Sequence, residues 1–561
     1  MQVRRRFVAP LLVAALPSLA SAHGGGYATQ PGGPQASPGF GDSGGPVTRW
    51  ETWWTANRED LLRIAERVDA ARNVAVTPTG DARTATLDPV RARATFATEV
   101  RDSVVPVLTR ALTEDKDYDV RCSAAIALGK IGDASASAAL RDVARRDARP
   151  DVRRAALLAI GLLGRVEDLP FLGDVIRDRT RDADERAMSM LAVGLTGGDD
   201  AAAFLADFIG RAETRPDAAH QAAAQLLGTA YVALGVTGAA EALRPLRAAA
   251  DDESLDPFLR GHAVLSLGRM RDRDSLGRLA RLLAPPADVQ IRRSAALALG
   301  RVVTGTDGPA IAALTTTLDA EIDPATRRFA IESLGVARCA AVRDLLLSRF
   351  KAIGPDRAFF ALALGLQRDP IVVPPIVESL KTEKEIGVRS AACTALGLLG
   401  DADSYAALET QIDAAPARGP HRGFAAMALA VLPSPASRDL LWKRLSEETD
   451  ARVRADFSVA LGLLNDPRIK AYLVEQVKNA PGVFDRCTAA ECLGVLRRAD
   501  AVPDLAAVVE NPRVEGIVRA ICVVALGQIA DPSVVPKLSR LAAGGDASLA
   551  TKALAEALTI L

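Results

Sequence analysis

From Asp119 onward, apolar side chains recur at a spacing that only a helix gathers onto one side. In DVRCSAAIALGKIGD, Asp119–Asp133, the residues Val120, Ala124, Ala125, Leu128 and Ile131 follow an i, i+4, i+5, i+8, i+11 order. The same order returns in DVRRAALLAIGLLGR (Asp151–Arg165), GVRSAACTALGLLGD (Gly387–Asp401) and IVRAICVVALGQIAD (Ile517–Asp531). Its A-L-G core ends on Gly129, Gly161, Gly194, Gly268, Gly300, Gly335, Gly365, Gly397, Gly462, Gly494 and Gly527, with weaker copies at Gly228, Ala430 and Thr559. These fourteen reference positions lie mostly 30 to 35 residues apart. Shorter amphipathic segments such as SASAALRDVARR and VVPKLSRLAA alternate with them, bounded by Gly, Pro, Asp and Asn. Each unit therefore predicts two helices, and no sustained period-two alternation predicts a strand. The one long gap, Gly228 to Gly268, contains GTAYVALG; its extra seven residues are two helical turns and predict a longer second helix.

A glycine inside a helix costs about 1 kcal/mol relative to alanine, so its recurrence needs compensation. Small residues four positions earlier (Ala125, Ala296, Ala361, Ala426, Ala490) complete a flat stripe that lets neighbouring helices approach closely. Eight residues before the reference position stands an arginine in twelve units: Arg121, Arg153, Arg186, Arg260, Arg292, Arg327, Arg357, Arg389, Arg422, Arg454, Arg486 and Arg519. His220 and Thr551 interrupt the series. In five units an acid precedes that arginine by six residues: Asp115, Asp147, Glu321, Glu383 and Glu448. A long cation held in one register suits a ladder of bonds to loop carbonyls and acids of adjacent units better than a track for phosphates.

The repeated D-x-x-V-R-x-x-A-A-x-A-L-G-x-I-G-D core resembles the HEAT-repeat family, in particular its short type found in phycobilisome lyases. The resemblance covers residues 88–561 and implies an all-α fold, a right-handed α-solenoid of about fourteen helical hairpins whose second helices line the concave side. It also implies a protein-binding scaffold. The lyase activity of some family members finds no matching catalytic residues in this chain.

Along the second helices runs an apolar stripe three residues before and one after the reference position, including Leu158 and Leu162, Leu191 and Leu195, Leu362 and Leu366. Packing between neighbouring second helices accounts for it; were part of it exposed, it would form a groove for a partner's helix or extended segment.

The chain start has a different pattern. MQVRRR, the apolar run FVAPLLVAALPSLA and Ala20-Ser21-Ala22 read as a signal peptide over residues 1–22. This predicts export to the periplasm or the outside of a bacterial cell. Residues 23–47 are Gly- and Pro-rich and read as a tether. WETWWTANRE then gathers Trp50, Trp53 and Trp54, three of four tryptophans in 561 residues. Thr48 and Glu51 fit a capping box, so residues 48–73 are expected to form a helix, with Trp50, Trp54, Leu61, Ile64 and Val68 on one face. A solenoid leaves its first unit bare. The helix is expected to cap it near Val104, Val107, Leu108 and Ile126, after a linker over residues 74–87. The tether and tryptophan cluster resemble a type of exported bacterial HEAT protein. An aromatic platform for sugars or peptides is the other reading of the cluster.

Composition narrows the chemistry. Lysine plus arginine equal aspartate plus glutamate at 69 each, which gives no general field for nucleic acid. The six cysteines form no C-x-x-C, the histidines fall in separate units, and no hydrolase, zinc-protease or calcium-loop motif occurs. No catalytic, cofactor or metal-binding residue is thus named from sequence. The function expected is a non-enzymatic exported scaffold that holds a protein partner along its concave face. A bilin-lyase-like enzyme and a cell-envelope carbohydrate binder using Trp50, Trp53 and Trp54 are the alternatives.

Overall fold

The computed structural model describes residue 50, residues 89–211, 221–414, 419–432 and 436–533, and positions 554 and 557. The signal peptide, the tether, Trp53, Trp54, the linker, His220 and nearly all of the fourteenth unit lie outside the described residues. Among the described residues there is no strand. Numbered in chain order, the helices run from α1 (Pro89–Glu114) and α2 (Tyr118–Ile131) to α25 (Val502–Val509) and α26 (Gly516–Ala530). Odd-numbered helices form the outer layer, and the thirteen even-numbered helices, which carry the A-L-G core, form the inner one.

Local chemistry fixes where each inner helix starts and stops. Aspartates in the preceding loop accept from first-turn amides, as Asp117 does from Asp119 and Asp288 from Gln290. Three residues past the reference glycine the backbone turns left-handed, at Gly132, Gly164 and Gly400 with φ of 75°, 70° and 70°.

The glycine stripe sets the spacing of the inner helices. A Cβ placed on Gly129 would come within 2.8 Å of the Ala159 backbone, and one on Gly365 within 2.6 Å of that of Ala395. The partner is each time the small residue two positions before the next reference glycine. The cost of glycine is therefore recovered as close contact between helix backbones. The long gap resolves in the same way. The helix α8 (Gln221–Thr237) has 17 residues, and the glycine that meets the next unit is Gly235, against Ser266, rather than Gly228.

Among the described residues the array has no free end. The last inner helix, α26, packs against α2 as closely as any successive pair, and α25 and α26 also touch α1. The register is unbroken there: a Cβ on Gly527 would lie 2.6 Å from Ala127 Cβ, and Ala127 stands two residues before Gly129. Thirteen units close into a ring. This corrects the expectation of an open stack with a bare first unit, because the thirteenth unit covers it. The cap is corrected with it. Trp50 is buried, but against Phe424, with ring centroids 5.3 Å apart, and beside Gly387. Those residues belong to the helices α20 (His421–Val431) and α18 (Ile386–Leu399), far along the chain from the first pair.

Candidate functional site

Two sets of arginines tie the units together, one on each rim. On the rim where inner helices begin, nine of the twelve arginines named above reach an acid of the following unit. Arg121 Nε lies 2.9 Å from Asp147 while its NH1 donates to the carbonyl of Asp115. Arg153 pairs with Glu185 at 2.5 Å, Arg292 with Glu321 at 2.7 Å, Arg327 with Asp356 at 2.7 Å, Arg357 with Glu383 at 2.6 Å and Arg486 with Glu515 at 2.7 Å. Arg422 pairs with Glu448 and Arg454 with Asp485. Arg389 donates to Gln411, and Arg186 and Arg260 to the outer-helix carbonyls of Ile176 and Ala250 at 2.8 Å. The last rung decides the topology. Asp115, the acid of the first unit, is taken by Arg519 of the thirteenth, 404 residues away, and Arg110 pairs with Glu510 beside it.

The opposite rim carries a set that sequence reasoning missed. The left-handed position that is glycine in some units is Arg271, Arg338, Arg368 or Arg497 in others, with φ between 45° and 56°. Three of these side chains cap a carbonyl of the next unit: Arg338 at Leu366 (3.3 Å), Arg368 at Leu398 (2.9 Å) and Arg497 at Ser533 (2.7 Å). A left-handed non-glycine residue is strained, and the added bond to a carbonyl at or just past the end of the next inner helix offsets that strain. The readable signal was glycine or arginine three residues after the reference position in eight units, at Gly132, Gly164, Gly197, Arg271, Arg338, Arg368, Gly400 and Arg497.

The inner helices present a third side to the interior. Reference residues face the next inner helix, residues two earlier face the previous one, and residues five and eight earlier face the outer layer. Ser266 donates back to Tyr231, and Ser189 donates out to Leu172. Residues three and six before the reference, and one after, are left for the interior. Leu158, Leu162, Leu191, Leu195, Leu362 and Leu366 stand there and are all buried. The condition for a groove, exposure of part of this stripe, is not met at these six leucines, and in α4 (Pro150–Leu163) every residue from Ala155 to Leu163 is covered.

The titratable groups on this side are unusual. His262 is 2% exposed, lies edge-on to Phe258 at 4.4 Å, and neither ring nitrogen is hydrogen-bonded. Burial lowers its pKa to about 3, so the imidazole is neutral. Burial also lowers Arg269 to about 10 and Lys130 below its ordinary value, the latter against the attraction of Asp531. Glu332 and Glu491 are buried at interior positions. Among the described residues no three His, Cys, Asp or Glu side chains come together as a metal site. Burial pushes the thiols of Cys122, Cys393 and Cys487 up to about 12, which removes their nucleophilic form.

One junction departs from the rest. The small residue expected opposite Gly462 is Cys492, and Gly462 meets the Leu496 side chain instead. A cavity of about 20 Å³ lies beside Cys492, lined also by Arg454, Tyr472 and Asp485 among others. The thiol is too large for the contact that alanine or serine makes elsewhere.

A family model for HEAT repeats matches residues 82–161, 354–419 and 485–559. Over these segments the chain carries HEAT repeats. The chain also matches two curated proteins. Deoxyhypusine hydroxylase of Eremothecium gossypii is 29% identical over 212 residues, 33% of this chain and 66% of that protein. Deoxyhypusine hydroxylase of Debaryomyces hansenii is 28% identical over 185 residues, 28% of this chain and 59% of that protein. The matches thus span less than two thirds of either relative. Among solved structures, human deoxyhypusine hydroxylase is similar at 18% identity and a TM-score of 0.22, covering 53% of this chain and 96% of that one. Kap121p is similar at 14% identity and a TM-score of 0.32, covering 82% and 56%. The expectation of a non-enzymatic protein is corrected by the two curated relatives, which are enzymes by name.

Proposed function

We propose that this HEAT-repeat ring is an exported scaffold that binds a protein partner on its rim. Two neighbouring loops on the arginine rim carry the reading. Ile322, before α14 (Pro324–Ala337), is 90% exposed, and Ile353, before α16 (Arg357–Gln367), is 101% exposed. They stand at matching places, 13 and 12 residues before their reference glycines. Neither contributes to the core, and fully exposed isoleucines at matching places in successive units are suited to a partner's apolar surface. No described helix is long and apolar enough to cross a membrane. Export rests on residues 1–22 and is tested by intact mass, with His23 expected as the first residue. Crosslinking pull-down from the native envelope, with wild type against an Ile322→Asp, Ile353→Asp double variant, tests the rim. A protein captured by the wild type and lost from the folded variant is expected, and equal capture contradicts the reading.

A second reading comes from the relatives' name. Hydroxylation of deoxyhypusine in a partner protein would need an oxygen-activating group, and the described residues assemble no ligand set that could be assigned to one. Incubation with a deoxyhypusine-bearing protein, read by mass for one added oxygen, tests it directly.

A further inference from the structure

The charges around the exposed isoleucines narrow what can dock on them. Three successive loops of the arginine rim hold Ile322, Ile353 and Lys384, which stand 13, 12 and 13 residues before Gly335, Gly365 and Gly397. All three are exposed, and so is Lys351, two residues before Ile353. The acids beside them are already taken by the ladder: Glu321 and Asp323 pair with Arg292 and Arg293, and Asp356 and Glu383 with Arg327 and Arg357. Neither Lys351 nor Lys384 has an ion-pair partner among the described residues. The exposed Glu385 stands at the N-cap of α18, where the positive end of the helix offsets its charge. These loops therefore present an apolar pair flanked by positive charge.

Spacing selects the partner's backbone. Inner helices about 9 Å apart set the three loop positions in a row about 18 Å long. On an α-helix seven residues rise about 10 Å and return to the same side, so a helix laid along the rim meets one loop at each such step. An extended strand fits worse, because the three residues that cover about 10 Å end on its opposite face. Two isoleucines and two lysine stems also offer far less than the roughly 800 Å² per side of a standard contact between folded proteins. A short segment suits them better than a second copy of the ring. We propose that the rim partner is an amphipathic helix of another protein. Its apolar residues at i and i+7 cover Ile322 and Ile353, and its acidic residues meet Lys351 and, at i+14, Lys384. The inference rests on the rim reading and names the chemistry of its partner. An anionic membrane offers apolar and negative groups too, but it is held by clusters of about 4–8 cations, and two lysines do not make one.

Fluorescence anisotropy with the full chain tests it. One probe is a labelled helical peptide with leucine at i and i+7 and glutamate at i+14 and along the flank; the other carries lysine for each glutamate. The glutamate peptide should bind at least about tenfold more tightly than the lysine peptide, and added salt should narrow that gap. A Lys351→Glu, Lys384→Glu double variant should reverse the preference, a result that misfolding would not give. The Ile322→Asp, Ile353→Asp variant should bind neither peptide. Equal binding of the two peptides by the wild type, binding of neither, or an unreversed preference in the lysine variant would overturn the proposal. So would binding to phosphatidylglycerol vesicles that survives in the presence of saturating glutamate peptide. The rim reading fails separately, through equal capture from the envelope by the wild type and the isoleucine variant.

Discussion

Arg519 offers a sharp test of ring closure, because an open array would leave it with nothing to hold. In the structure its guanidinium meets Asp115, and the two side chains are 11% and 13% exposed. The internal rung Arg292–Glu321 is closely matched, at 18% and 8%. Breaking a buried pair costs about 3–5 kcal/mol. The guanidinium here keeps some water, so about 2–3 kcal/mol is expected for Arg519→Ala, similar to Arg292→Ala. Asp115→Ala, Arg519→Ala and the double variant form a cycle across 404 residues. A coupling of about 1–2 kcal/mol is expected, since each single change leaves the same partner unpaired. Long repeat arrays unfold in parts, so the quantity to measure is the opening free energy from native-state hydrogen exchange of amides in α2 and α26. Coupling within about 0.5 kcal/mol of zero, beside a clear coupling in an Arg292–Glu321 control cycle, would refute closure.

Other outcomes follow from the same geometry. Trp50→Ala should cost roughly 3–5 kcal/mol locally and speed exchange in α18 and α20, at residues 386–431, not in residues 89–164. His262 has its folded pKa lowered from the usual 6.5 to about 3, and burial lowers His421 to about 4. Their contribution is complete above about pH 6.5 and lost as pH falls toward those values. His262 alone should cost about 2 kcal/mol by pH 5, and thermal melts of His262→Leu should lose that part of the pH dependence while gaining stability at pH 7. Gly365→Leu should destabilise more than the 1–3 kcal/mol usual for overpacking, because a Cβ there meets the Ala395 backbone. Cys492→Ala should cost little or stabilise, by letting Gly462 close on its neighbour; a loss above about 2 kcal/mol in chemical denaturation would contradict that.

The repeat itself was legible because it is local. Helical spacing, the reference glycine and the arginine eight residues before it all lie within one unit, and copies reinforce one another. The register of α8 was misplaced by two turns because Gly228 and Gly235 lie on nearly the same side of one helix. Closure is a property of the whole array: small rotations per unit accumulate, and no unit encodes their sum. One trace was present even so. Asp115 carries the acid that elsewhere receives an arginine from the unit before, yet no unit comes before it. The interior stripe was read as packing or groove for a similar reason. Its residue types are the same in either case, and only burial separates them. The arginines of the second rim went unread because a left-handed backbone is expected of glycine, and their compensating bond lies in the next unit.

Arg110 and Glu510 give the most direct measurement of the central claim. Both are about half exposed and pair across the seam, so spin labels can replace them in a background freed of the six cysteines. Pulsed dipolar spectroscopy should then report a separation under about 20 Å if thirteen units close into a ring. An open stack of units about 9 Å apart would place the labels more than about 60 Å apart. A distribution centred there would show that the array does not close.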